Sequence, residues 1–303
     1  VGAEAGKGGT TSAPYSSGEA NTAVGYEALY SFTTGYNNTA MGYRALYAAT
    51  TGYQNIAVGD NAMRYLTTGA WNVSIGNNSG PNSMGSRIVA IGELAGRFNK
   101  GLGNVHIGYR AGFYVSGSYN ITIGMYAGQG GTSSSPYSTG THNVAMGYSA
   151  LSGFTTGGAN VAIGYQAGND ITTGQYNTLL GSGAGQNIVS SNDYTAIGYR
   201  AGYDTGNGGS DGVYVGMNAG YKDSGSYNTF VGTDCGTATY TSGYSTGSSN
   251  NVISGNQDIE VLKFKNSGYN TISSHYAETI NLQNSENNSA IDSEFDFVIC
   301  NYF

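Results

Sequence analysis

The sequence predicts an all-β protein: a parallel β-solenoid of about fourteen short coils, followed by a separate C-terminal module. Three observations support this prediction. Glycine accounts for 51 of 303 residues, about one in six, against a usual 7%. Charged residues make up only 10% of the chain, and proline only 3 residues. One nine-residue phrase also recurs through most of the chain, as is typical of solenoids.

The composition argues against several other classes of protein. With 39% hydrophobic residues and 27 tyrosines, the chain is too apolar for intrinsic disorder. Its glycines do not follow the three-residue period of collagen, and its charge is too low for a coiled coil. No apolar run approaches about 18 residues, so we expect no membrane insertion.

The charge argues against a nucleic-acid partner. The formal net charge is −7, from 18 acidic and 11 basic residues, whereas phosphate-binding surfaces need clustered Lys and Arg. The nearest approach to a cluster is sparse and is interrupted by Glu93; it consists of Arg87, Arg97, Lys100 and Arg110.

The repeat reads NTAVGYEAL from Asn21 and NTAMGYRAL from Asn38. Indexed by its central glycine, it recurs at spacings of about 16 to 18 residues, with three spacings of 23. The indexing glycines are Gly2, Gly25, Gly42, Gly59, Gly76, Gly92, Gly108, Gly124, Gly147, Gly164, Gly181, Gly198, Gly216 and Gly232, with a degenerate copy at Gly255. The repeats therefore form a shaft over residues 1–255.

The three long spacings carry polar inserts, at Gly8 to Ala20, Gly130 to His142 and Thr237 to Asn250. The flanking repeats are undisturbed, so we expect these inserts to be loops on one face of the stack. Loops of this kind often carry recognition.

Within one copy, the alternation predicts two short strands, a tight corner at Gly25 and a turn at Thr-Thr-Gly-Tyr. In that turn we expect glycine to supply a positive φ, at Gly35, Gly52, Gly69, Gly157 and Gly174. The residue before each corner glycine should stack as an apolar column, starting with Val24 and Met41. A second column consists of alanines, and we interpret it as a flat surface for packing another copy.

Two further columns have structural interpretations. The asparagine that opens each copy would form a side-chain ladder or act only as a turn former. The recurring tyrosines would form a ladder shielding strand edges, or an outer surface able to bind glycans. The ladder asparagines are Asn21, Asn38, Asn55, Asn72, Asn104, Asn120, Asn143, Asn160, Asn177 and Asn228.

No catalytic or metal-binding set stands out, so we expect neither enzyme activity nor a cofactor. His106 occupies an alanine slot, where a packed or hydrogen-bonded histidine is expected. Asp292, Glu294 and Asp296 could pair for glycoside hydrolysis but fit a solvated strand edge better. Cys235 and Cys300 lack metal-ligand spacing and are free thiols or, in the minority interpretation, a disulfide.

After Gly255 the sequence becomes acidic and poor in glycine, so residues 256–303 should form a module of their own. A solenoid needs a terminal cap, and the module can serve as that cap, as a receptor-binding tip, or as both. Its candidate receptor-binding residues are Phe264, Tyr269, Tyr276, Phe295 and Phe297.

The repeat of residues 1–255 resembles two related families. G-x-x-A-[LG] preceded by A-[VIM] resembles the YadA-like heads of trimeric autotransporter adhesins, and the fuller phrase NTAVGYxALYxxTTGxN is similar to repeats of phage tail fibres. The resemblance implies a left-handed β-roll and a homotrimer. It predicts a virion tail fibre that presents a tip to a host cell-surface glycan or protein. The alternative is a cellular adhesin or structural filament at the cell surface.

Overall fold

The computed structural model describes residues 1–9, 16–80, 85–134, 137–204, 211–223, 226, 228–234 and 251–253. Over these residues the chain is all-β and contains no helix, and its strands form one parallel sheet that follows sequence order. The predicted parallel β-solenoid is therefore confirmed. The strands are β1 (Thr22–Val24), β2 (Thr39–Met41), β3 (Ile56–Val58), β4 (Val73–Ile75), β5 (Val89–Ile91), β6 (Val105–Ile107), β7 (Ile121–Ile123), β8 (Val144–Met146), β9 (Val161–Ile163), β10 (Thr178–Leu180), β11 (Thr195–Ile197), β12 (Val213–Val215), β13 (Thr229–Val231) and β14 (Asn251–Ile253).

Equivalent residues of successive copies lie side by side. Val24 pairs with Met41, which in turn pairs with Val58, and the same register continues along the sheet to β14. The predicted apolar column before the corner glycines is thus confirmed. Because parallel strands lie about 4.8 Å apart, the fourteen strands span roughly 60 Å.

Each coil, meaning one repeat of the solenoid, contains one strand, so the prediction of two strands was wrong. The segment after the corner glycine forms turns, because Glu27 and Leu29 have φ values of 53° and 49°, which interrupt an extended backbone. Successive coils still bond there, as when Leu29 N–H donates to the carbonyl of Ala45 at 2.9 Å.

The corner glycines are required by their backbone conformation and by their neighbours. All fourteen indexing glycines from Gly2 to Gly232 have φ between 123° and 138°, a region that residues with a Cβ rarely adopt. A Cβ on Gly25 would also lie 2.4 Å from the carbonyl oxygen of Gly42 in the next coil. The predicted corner is therefore confirmed.

The turn glycines are needed for a different reason from the one predicted. Gly35, Gly52, Gly69, Gly157 and Gly174 have no positive φ, so that expectation was wrong. Space excludes other residues instead: a Cβ on Gly35 would lie 2.4 Å from the carbonyl oxygen of Gly52. The left-handed conformation occurs instead at the residue just before the ladder asparagine. There, non-glycine residues such as Asn37 have φ near 54°.

A column of alanines lines the interior of the coils, beside larger buried side chains such as Leu29, Leu46 and Phe154. The alanines that follow the corner glycines are fully buried within a single chain, so the prediction that they form an exposed packing surface was wrong. These residues are Ala28, Ala45, Ala62, Ala95, Ala111, Ala127, Ala150, Ala167, Ala184, Ala201 and Ala219. From β2 to β13 the middle residue of the strand joins them, for example Ala40, Ala57 and Leu179, which are also fully buried.

The asparagine ladder is present and bonds in both directions. Asn38 Nδ2 donates to Asn21 Oδ1 at 3.1 Å and to the carbonyl of Gly52 at 2.9 Å, while Asn38 Oδ1 accepts from Asn55. The ladder is interrupted where Ile88 and Tyr194 replace asparagine, although their backbone N–H groups still donate to the preceding asparagine. The ladder interpretation is thus confirmed.

Candidate functional site

The candidate receptor-binding residues Phe264, Tyr269, Tyr276, Phe295 and Phe297 lie outside the described residues, as does the rest of the C-terminal module. The same holds for Cys235, Cys300, Gly255, the acidic triplet at positions 292, 294 and 296, and the insert from Thr237 to Asn250. The binding surfaces considered below therefore all belong to the shaft.

The second insert leaves the sheet in register. β7 pairs with β8 so that Ile121 faces Val144, although 23 residues separate them. The ends of the insert also meet, because a Cβ on Gly130 would lie 2.8 Å from Ser138 Oγ and Ser138 forms a bridge with Val115. In the first insert, an open groove of about 290 Å³ is lined by Ser17, Glu19 and Ala20 together with Thr34, Tyr36 and Asn37.

The outer side of the sheet is an apolar strip, which we call the sheet face. It consists of the first and third residues of each strand, whose middle residues point inward. Many of its large apolar side chains are about two-fifths exposed, between 36% and 44%. They are Val24, Met41, Ile56, Ile75, Ile121, Met146, Ile163, Ile197 and Val231. In the described portion of the chain, this strip follows the sheet from β1 to β13.

The tyrosine columns form short stacks of rings. Tyr26 stacks on Tyr43 at 5.6 Å between ring centroids, and Tyr148 stacks on Tyr165 at 5.4 Å. A second column places Tyr36 on Tyr53 at 4.9 Å before Trp71 meets Tyr53 edge-on. Stacked rings cover each other's faces and present their edges to solvent, which favours the ladder interpretation of the tyrosines over a glycan-stacking surface.

All nine lysines and arginines among the residues that the structure describes lie within 6 Å of an aromatic ring centroid. These cations are Lys7, Arg44, Arg64, Arg87, Arg97, Lys100, Arg110, Arg200 and Lys222. Such contacts stabilise the charge by about 0.5–1 kcal/mol each at exposed sites. In five of the nine contacts the ring belongs to the adjacent residue in the sequence.

Three of these cations surround one aromatic cluster, which we call the basic-aromatic patch. Its rings are Phe98, Phe113, Tyr114 and Tyr137, with neighbouring centroids 4.5–5.8 Å apart. Its cations are Arg97, Lys100 and Arg110. Along the sequence these cations are sparse and are interrupted by Glu93, whereas the stacking of coils brings them to one surface. Arg87 lies apart, over Trp71 at 5.1 Å.

His106 is a fully buried, hydrogen-bonded histidine, as predicted. Asn99 Oδ1 accepts from the N–H of Gly101, which orients the Asn99 amide so that its Nδ2 donates to His106 Nε2 at 2.6 Å. His106 Nδ1 must therefore carry the proton, which it donates to Thr122 Oγ1 at 2.8 Å. Burial lowers the pKa of His106 to about 3. Both nitrogens of this neutral ring are hydrogen-bonded inside the core, so its role there is structural rather than that of an acid or base.

A second buried polar cluster lies near the end of the described shaft. Tyr214 Oη donates to Asp223 Oδ2 at 2.9 Å, and Asn228 Nδ2 donates to the same oxygen at 2.7 Å. Burial raises the pKa of Tyr214, so its hydroxyl keeps its proton. The cluster holds the buried carboxylate with hydrogen bonds. Asn228 therefore bonds to this carboxylate, unlike the asparagines that bond to one another along the ladder.

The described residues contain no group of three or more His, Cys, Asp or Glu side chains arranged to hold a metal ion. Nor do they contain a helix that is long and apolar enough to cross a membrane. No protein-family profile, curated protein or solved structure matches the chain.

Proposed function

We propose that this protein is a non-enzymatic, homotrimeric fibre that holds a terminal recognition module away from its base, as a phage tail fibre does. The observation that carries the proposal is the sheet face. A strip of half-exposed Val, Ile and Met side chains runs the length of a sheet roughly 60 Å long. Monomeric proteins rarely expose continuous apolar strips of this kind.

A second copy of the same chain is the occupant that fits this strip best. The strip repeats at the strand spacing, and another copy has the same spacing and the same apolar columns. Copies packed side by side around one axis give a closed assembly. The number three follows from the resemblance of the repeat to trimeric adhesin heads and tail fibres. The sheet face replaces the alanine column as the proposed interface.

Light scattering on the purified chain tests the assembly. We expect three times the chain mass of 31.2 kDa. Met146→Glu with Ile163→Glu places two charges on neighbouring strands of the sheet face and should reduce the mass to that of one chain. The matched control, Thr156→Glu with Thr173→Glu, changes exposed side chains in the turns of neighbouring coils and should leave the trimer intact. A stable, folded monomer of the unmodified chain would refute the trimer.

Recognition by the C-terminal module is tested by removing the residues after Gly255. The shaft repeats one surface in coil after coil, whereas residues 256–303 depart from the repeat. A truncated chain that still trimerises should lose adsorption to host cells. Undiminished adsorption would place the recognition site on the shaft. Neighbouring genes for tail or baseplate proteins would favour the viral fibre over a cellular adhesin.

A further inference from the structure

We propose that the basic-aromatic patch on the shaft binds an acidic polysaccharide, through its carboxylate or sulfate groups. The patch goes beyond the proposed function, which places recognition at the end of the fibre. It is formed after the corner glycines of two successive coils, with one ring supplied by the second insert. It does not use the strand residues of the sheet face.

The cations of the patch are held close together without acidic partners. Arg97 lies over Phe98 at 5.6 Å and Arg110 over Phe113 at 4.5 Å, and the two phenylalanine rings are 5.0 Å apart. Among the described residues, the only ion pairs are Lys7 with Glu4 and Arg44 with Glu27, so no described carboxylate lies within ion-pair distance of the patch's cations. In an acidic chain, three unpaired cations at one place form a local site for an anion.

One donor in the patch has no partner at all. Arg110 Nε is buried and, within the described structure, makes no hydrogen bond. Buried polar atoms are nearly always bonded, so this unsatisfied donor is costly. Arg110 as a whole is only partly buried, so part of its side chain reaches solvent. Arginine binds carboxylate and sulfate oxygens with two parallel N–H donors.

The second insert contributes one ring, Tyr137, that sets this patch apart from the regular coils. Tyr137 lies 5.2 Å from Phe98 and 5.8 Å from Tyr114 between ring centroids, and Lys100 Nζ lies 5.9 Å from its ring. Tyr137 therefore lies against the rings of both coils and completes a group of three neighbouring rings. A repeating shaft acquires one local surface that differs from the rest, and such a surface is what selective binding requires.

A polysaccharide fits the rings better than a nucleic acid does. Phe98 and Tyr114 stack at an interplanar angle of 9°, and Tyr137 lies tilted against Phe98 at 33°. The rings therefore cover much of one another's faces, whereas single-stranded nucleic acids stack their bases on free faces. Sugar units bearing acidic groups need only the exposed cations and the ring edges. The formal net charge of −7 also disfavours a long, densely charged polyphosphate.

The test measures binding of the full 303-residue chain to four immobilised probes: hyaluronate, dextran sulfate, neutral dextran and a single-stranded thymidine oligonucleotide. We expect binding to hyaluronate or dextran sulfate and none to neutral dextran. Hyaluronate alone would identify carboxylate recognition, and dextran sulfate alone would identify sulfate recognition. Equal or tighter binding to the oligonucleotide, or no binding to either acidic polysaccharide, would overturn the proposal.

Paired variants localise the binding. Arg97→Gln with Lys100→Gln should weaken it by about tenfold or more, because each removes a charge-assisted contact. The control, Arg87→Gln with Lys222→Gln, removes the same charges from positions elsewhere on the shaft and should change affinity less than about threefold. If the first pair misfolds, Lys100→Gln alone, at an exposed side chain, should still weaken binding measurably. An equal loss in the control would show that net charge, rather than the patch, attracts the ligand. Light scattering on the same variants measures their oligomeric state, so a loss of binding can be distinguished from a loss of the trimer.

Discussion

Asn120 and Asn143 are 23 residues apart, yet they form the same contact as Asn143 and Asn160, which are 17 apart. In both pairs the later N–H donates to the earlier Oδ1, at 2.9 and 3.0 Å, and the two side-chain contacts are both 3.1 Å. The extra residues are therefore accommodated away from the ladder, and a coil of different length keeps the same register.

Deleting residues 131–137 should leave a folded rod. The deletion joins Gly130 to Ser138, whose atoms already lie close together, and restores a spacing of sixteen residues, as between Gly108 and Gly124. Because loop length contributes only weakly to stability, we expect a change of less than about 1 kcal/mol. Circular dichroism and chemical unfolding measure it. Loss of β structure would show that the insert is needed by the core.

Gly59→Ala should be strongly destabilising. Gly59 has φ 135°, and the added methyl would lie 2.6 Å from the carbonyl oxygen of Gly76. We therefore expect backbone strain and the steric clash together to lower the free energy of unfolding by about 2 kcal/mol or more. Gly183→Ala is the control, since Gly183 has φ 66° and its neighbours there are flexible side chains. It should cost about 1 kcal/mol or less. Equal unfolding midpoints for the two variants would contradict the stacking of corner glycines.

Asn160→Ala should show what one step of the ladder contributes. Asn160 is fully buried; its Nδ2 donates to Asn143 and Gly174, and its Oδ1 accepts from Asn177. Removing it leaves several buried groups without partners, so we expect a loss of about 3 kcal/mol in unfolding experiments. The partly buried Asn187 provides the control. If Asn187→Ala is equally harmful, the ladder bonds are not the cause.

The stability of the rod should fall with acid between about pH 6.5 and pH 3 because of His106. Its folded pKa is about 3 against an ordinary 6.5, so the unfolded chain binds a proton first and the stabilisation present at neutral pH is lost as the pH falls. The slope from this residue is about 1.4 kcal/mol per pH unit. His106→Ala should flatten the profile, while the exposed His142→Asn should not. A parallel profile in His106→Ala would assign the acid sensitivity to other groups.

The architecture could be predicted from the sequence because one repeat fixes the length of a coil and the position of its corner. The corner glycines, the parallel register and the asparagine ladder all follow from that period. The alternation of Thr22, Ala23 and Val24 also shows that two faces exist. It does not show which face is inside. In most of these strands a small middle residue, such as Ala40 or Ala57, lies inside, while the flanking Val, Ile and Met side chains are about two-fifths exposed, contrary to the usual expectation for a core.

The turns and the basic-aromatic patch were harder to predict for a different reason. Gly35 is explained by a carbonyl oxygen of the next coil, seventeen residues away, and sequence patterns within one turn cannot show that contact. Lys100 and Tyr137 likewise meet only because the coils stack and the insert folds back. Along the chain these cations are spread out, whereas the stacked coils place them on one surface.

The strand order of the sheet determines how the rod would carry a mechanical load. The ladder bonds run along the long axis, because each coil bonds only to the one before it and the one after it. A pull applied at the two ends therefore acts on these bonds in tension, in series, and the weakest interface opens first. A single chain would unravel coil by coil, whereas strands of a neighbouring copy packed along the sheet face would bear the force in shear.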